Sequence, residues 1–74
     1  MTNDEISERF GYHKPTGEST RTHMQTRVMY SYIAGFLDES LPDGREKALA
    51  FTALQESSMW AHAAIAMQDP VVVE

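Results

Sequence analysis

The stretch RFGYHKP, residues 9–15, sets Phe10, Tyr12, His13 and Lys14 almost side by side. Two rings offer π-faces on which a nucleobase stacks, while a phenol and an imidazole offer hydrogen bonds and an ammonium offers a positive charge. Arg21 and Arg27 follow early in the next segment, and a guanidinium forks two N–H groups onto a phosphate. An aromatic plane beside a fixed cation is what a nucleotide requires. The same residues also suit a plainer role, in which Phe10 and Tyr12 plug the open end of a helical pair. Composition by itself weighs the two equally.

Other chemistry is poorly represented. His13, His23 and His62 share no spacing of three or four that would put two imidazoles on one helix face, and there is no cysteine, so no metal centre is expected. His62, between Ala61 and Ala63, reads as a buried or interface histidine. No spacing joins a nucleophile, a base and an orienting acid, and neither a glycine-rich phosphate loop nor a paired-carboxylate motif is present. The expectation is no catalytic residue, no cofactor and no enzyme. Trp60 is either a ring that fills a gap between packed helices, the commoner use, or a stacking platform.

These residues need elements to hold them. A short helix is predicted over residues 4–9, capped by Asn3 and carrying Asp4 and Glu5 at the positive end of its dipole. Gly11, Pro15 and Gly17 keep residues 10–18 open as the binding loop. A long helix follows over 20–39, because Met24, Val28, Tyr32 and Phe36 recur at steps of four, flanked by Ile33 and Leu37. The turn SLPDG ends it. A second long helix is predicted over 43–68, with Asp43 as cap and Glu46 reaching back. Along it Ala50, Ala53, Ser57, Ala61 and Ala64 form a stripe of small residues, beside a bulkier row of Leu54, Ser58, Ala61 and Ile65. The tail, residues 69–74, is either frayed or an arm docking on a neighbour. The fold class is therefore all-α, a short helix followed by an antiparallel helical hairpin, forming one domain over 1–74.

Seventy-four residues without cysteine lie near the lower limit for independent folding. Small residues on a second face of the last helix point to assembly into a homo-oligomer. The net charge of −5 argues against long nucleic acid as a partner. No apolar run approaches the roughly 20 residues that cross a bilayer, and the acidic start lacks a secretory signal, so a cytosolic site is expected.

The run LPDGREKALAFTALQESSMWAHAAIAM, together with RFGYHKP upstream, resembles the phage anti-CBASS and anti-Thoeris sponge family. These are small helical-hairpin proteins with an F-x-Y-H-x-P stretch before the first long helix and an R-E-x-x-L-A-x-T motif opening the second. The resemblance covers roughly residues 9–67. It implies a homo-oligomer, commonly a hexamer, that sequesters cyclic oligonucleotide messengers in the cytoplasm of the infected bacterium without cleaving them. It further implies that cyclic dinucleotides such as cyclic GMP–AMP lie between the N-terminal regions of two protomers. By position, Tyr12 stacks on a base and Arg27 meets the phosphates, with Phe10, His13 and Lys14 beside them. The family's arginine near the end of the last helix is replaced by Met67, and Asp69 follows, which implies weak binding of cyclic trinucleotides here. The alternative is an oligomeric helical adaptor whose loop contacts another protein.

Overall fold

The computed structural model describes residues 1–72. Three helices, α1 (Asn3–Phe10), α2 (Gly17–Ser40) and α3 (Arg45–Ala66), make up the fold, and among the described residues there is no strand beyond an isolated bridge. The all-α class and the hairpin are as the sequence implies. Several boundaries are not.

The cap of α1 is Thr2 rather than Asn3. The Thr2 side chain accepts from the Glu5 amide at 3.1 Å, and its carbonyl accepts from Ile6 N–H at 3.0 Å, which draws Asn3 into the helix. At the other end Gly11 N–H donates to Ser7 O at 2.8 Å, so Phe10 is the last residue of α1 and not part of the loop.

Helix α2 begins at Gly17, three residues before the expected Thr20. Thr16 and Ser19 form a reciprocal capping box: Thr16 Oγ1 accepts from Ser19 N–H at 3.0 Å, and Thr16 N–H donates to Ser19 Oγ at 2.9 Å. Two satisfied amides outweigh the entropy that one glycine in the first turn costs. The open segment therefore shrinks from 10–18 to 11–16.

At the turn, Asp43 is not the cap of α3. Gly44 occupies that position at φ 153°, a conformation L side chains rarely adopt, with no side-chain cap. Asp43 instead accepts from Lys47 Nζ at 3.1 Å, and the same ammonium lies 3.0 Å from the Asp38 carboxylate. Lys47 thus ties the end of α2, the turn and the first turn of α3 together. The two flanking carboxylates hold its pKa above the usual lysine range, Asp38 contributing most. Helix α3 ends at Ala66 rather than Gln68, with Gln68 N–H to Ile65 O (3.1 Å) and Asp69 N–H to Ala66 O (3.0 Å) tightening the exit.

Helices α2 and α3 pack on each other, whereas α1 packs on neither. Leu54, Ser58, Ala61 and Ile65, the bulkier row, are each half-buried, as are Ala34 and Leu37 of α2. Tyr30 Oη and Ser57 Oγ, 2.6 Å apart, add a polar tie across the seam. The expected small-residue stripe is split. Ala50 and Ala61 are half-buried, while Ala53 and Ala64 lie exposed on the far side.

No apolar side chain of the described residues is fully buried. Met24, Val28, Tyr32 and Phe36 keep their step of four but face outward, Tyr32 at 79 % exposure and Phe36 at 64 %. The accessible surface is 6100 Å², whereas a compact monomer of this mass exposes about 4,600 Å². The radius of gyration is 16.2 Å, against roughly 11 Å for a compact chain of this length. A flat hairpin of two long helices has a seam and no interior. Among the described residues no helix is long and apolar enough to cross a membrane.

Candidate functional site

The loop after α1 is short and heavily tied. His13 and Val71 form an antiparallel bridge. Its flanking hydrogen bonds are Lys14 N–H to Pro70 O at 2.9 Å and Val72 N–H to Tyr12 O at 2.8 Å. The tail that the sequence left as frayed or docked on a neighbour lies, through Val72, along the loop of its own chain. Val73 and Glu74 lie outside the described residues.

His13 completes this arrangement. Its Nε2 is 2.7 Å from Glu8 O at the end of α1, and its Nδ1 is 2.9 Å from Asp69 O just past α3. Carbonyl oxygens only accept, so satisfying both contacts takes two N–H groups, which only the imidazolium has. The two carbonyls, Glu8's first and then Asp69's, raise the His13 pKa above its ordinary value, with help from the negative charge of the same residues. His13 is thus half-buried and occupied at both nitrogens, the one candidate that points inward.

Its neighbours point out. Tyr12 is 64 % exposed and Phe10 78 %, and Lys14 is exposed on the same loop. The Tyr12 ring and the Lys14 ammonium therefore stand in solvent on a backbone fixed at three points, and the Phe10 ring stands in solvent at the end of α1. Among the described residues the ion pairs are those of Lys47, which leaves Lys14, Arg21 and Arg27 without a carboxylate partner. Arg27 is exposed on α2, about 15 Å along the helix from Gly17 at 1.5 Å per residue.

A feature that sequence spacing did not reveal lies near Arg27. His23 of α2 and His62 of α3 stack with ring centroids 4.9 Å apart and planes 10° from parallel, and their Nδ1 atoms are 2.6 Å apart. One ring donates and the other accepts, so at least one of the pair is neutral. Desolvation, then the proximity of His23 and of Arg27, lowers the His62 pKa. His62, read from its alanine neighbours as a buried or interface histidine, is half-buried, and its partner is within the chain. The 39-residue separation hid the pairing, since only the hairpin register brings the two together. No group of three or more metal-ligating residues occurs among the described residues.

A concavity of about 460 Å³ sits where α2 starts and α3 ends, lined by Thr16, Glu18, Ser19, Thr22, Ile65, Gln68 and Asp69. Its two carboxylates and absence of a cation make it a poor place for a phosphate. None of the loop candidates lines it. Trp60 is 69 % exposed, so within one chain it fills no core.

The chain matches the family model for the Acb2/Tad1 hairpin domain over residues 2–66, nearly its whole length. It belongs to that family, the anti-CBASS and anti-Thoeris sponges, whose members bind cyclic oligonucleotides as part of an anti-defence role rather than as enzymes. No curated protein and no solved structure gives a match.

Proposed function

From membership of that sponge family, we propose that this chain captures cyclic dinucleotide messengers of the CBASS type, cyclic GMP–AMP among them, and holds them uncleaved in the cytoplasm of an infected bacterium. The observation that carries the reading is the loop itself. Tyr12 and the unpaired Lys14 stand exposed on a loop whose backbone is already held before any ligand arrives, and Phe10 presents its ring from the adjoining end of α1. Stacking supplies affinity for a base, and cations without carboxylate partners supply the phosphate contacts.

A single protomer offers the Phe10 ring at the end of α1, the Tyr12 ring on its loop and Arg27 well along α2. We place the pocket between two copies, the ring-bearing loop of one meeting Arg27 of another, within a homo-hexamer. The outward row Met24, Val28, Tyr32 and Phe36 and the exposed small residues of α3 support association, because the lone chain exposes about 1,500 Å² more than a compact monomer would.

The test is calorimetric titration with cyclic GMP–AMP, followed by denaturation and chromatography of the released nucleotide. Saturable binding with intact nucleotide recovered is expected. Linear products would mean an enzyme, and no heat with any cyclic dinucleotide would leave the adaptor reading.

A further inference from the structure

We propose that Asp69–Val72, a segment beyond the family-matched residues, together with His13 forms a clip that holds the ligand loop in its binding conformation, so that these are positioning residues for the cyclic dinucleotide. The inference rests on the sponge reading above and adds residues to that site.

Four hydrogen bonds converge on three consecutive loop residues. Tyr12 is held through its carbonyl by Val72 N–H, Lys14 through its amide by Pro70 O, and His13 through both ring nitrogens by Glu8 O and Asp69 O. The residues flanking His13, Tyr12 and Lys14, are among those proposed to touch ligand, and their side chains stay exposed while their backbone is fixed. The fit extends to Gly11. A Cβ there would collide with the Ser7 carbonyl and stand 3.0 Å from Val71 Cγ1, so the segment lies against a spot only glycine leaves open. Asp69 itself is buried at 7 % exposure, which anchors the segment where α3 ends. The clip therefore links the far end of the hairpin, the end of α1 and the loop. Since α1 packs on neither long helix, these contacts are what orient it.

A loop that is only partly in its binding conformation binds with an affinity reduced by the competent fraction. Removing one clip bond loosens the loop without touching a ligand-facing side chain. Val72→Pro deletes the amide that Tyr12 O uses and nothing else of consequence, since Val72 is exposed and proline favours the extended backbone that Val71 already has.

The groups facing His13 are Glu8 and Asp69, and both favour its protonated form. Deprotonation removes one of the two donors, so the clip is complete at low pH and weakens as pH rises past the raised His13 pKa. His13→Gln cannot span both carbonyls and has no proton to lose.

The experiment is calorimetric titration of full-length wild type, Val72→Pro and His13→Gln with cyclic GMP–AMP at a series of pH values from about 6 to 8, with helicity and particle mass measured on each. Expected are affinity about fivefold weaker for Val72→Pro, the loss of one ordinary hydrogen bond, and wild-type affinity that falls with rising pH while His13→Gln stays weak and flat. Helicity and mass should not change. Binding by the wild type with equal affinity in Val72→Pro, or a pH slope that persists in His13→Gln, overturns the clip and leaves the sponge reading intact. Absence of binding by the wild type overturns both.

Discussion

At the scale of single residues, Tyr12 and His13 are adjacent and face opposite ways. Alternation along an extended backbone sends Tyr12 outward and turns His13 in to the carbonyls of Glu8 and Asp69. Tyr12→Ala should therefore remove a base-stacking contact worth about 1–3 kcal/mol and leave the melting temperature nearly unchanged. Arg27→Ala should remove a charge-assisted phosphate contact worth about 1.5–3 kcal/mol. Together they should weaken cyclic dinucleotide binding by about a hundredfold or more. Titration calorimetry and a melting curve on the same variants decide the point. Lower stability with unchanged affinity would make Tyr12 a plug at the end of the hairpin.

At the scale of elements, α2 and α3 are joined by a seam of polar ties as much as by apolar contact. Lys47 closes the turn, Tyr30 and Ser57 meet midway, and His23 and His62 meet near the open end. The His62 pKa is lowered in the fold, so below its ordinary value of 6.5 the unfolded chain binds more protons than the folded one. His62 thus lets the fold keep its full stability above about pH 6.5 and costs stability as pH falls below it. Melting temperature followed from pH 7.5 to 5 should drop, and the drop should shrink in His62→Gln. Arg27→Ala, which removes one of the charges opposing His62, should also reduce it. A drop of equal size in all three would place the acid-sensitive group elsewhere. The clip runs in the opposite sense, because His13 is raised and loses its contribution as pH rises through its folded pKa.

At the scale of the whole molecule, a chain whose described residues include no buried apolar side chain leaves its stripes uncovered, and the proposed homo-oligomer would cover them. The structure shows which substitution tests this. Ala61 is half-buried on the seam with α2, so enlarging it would disturb the hairpin itself, whereas Ala64 is exposed within one chain. Ala64→Leu should weaken assembly, because closely approaching helices have no room for added methylenes. Light scattering should then show smaller particles with helicity retained, and a folded 8.4 kDa monomer for the wild type at micromolar concentration would contradict the assembly. The same end of the molecule bears on ligand size. Met67 supplies no cation and Asp69 and Glu18 add negative charge there, so cyclic trinucleotides should bind much more weakly than cyclic dinucleotides. Equal affinities in one calorimetric series would show that their phosphates are met by other residues.

Three helices, the hairpin turn and the aromatic and cationic cluster proposed to meet a nucleotide are legible along the chain. Periodicity at steps of four, Pro42-Asp43-Gly44 and the cluster from Phe10 to Lys14 are local signals, and local backbone preferences express them without help from distant residues. The sequence also carried the family resemblance, since that rests on the order and spacing of residues alone. Boundaries moved where two local signals competed. The Thr16–Ser19 box overrode Gly17, and the pull of Lys47 took Asp43 from its cap. Folding alone brings out which residues of the cluster face solvent, that His23 pairs with His62, and that Asp69–Val72 grip the loop before α2. Those contacts join residues 39 to 60 positions apart. No pattern along the chain encodes such pairs until the register of the hairpin brings its two ends together.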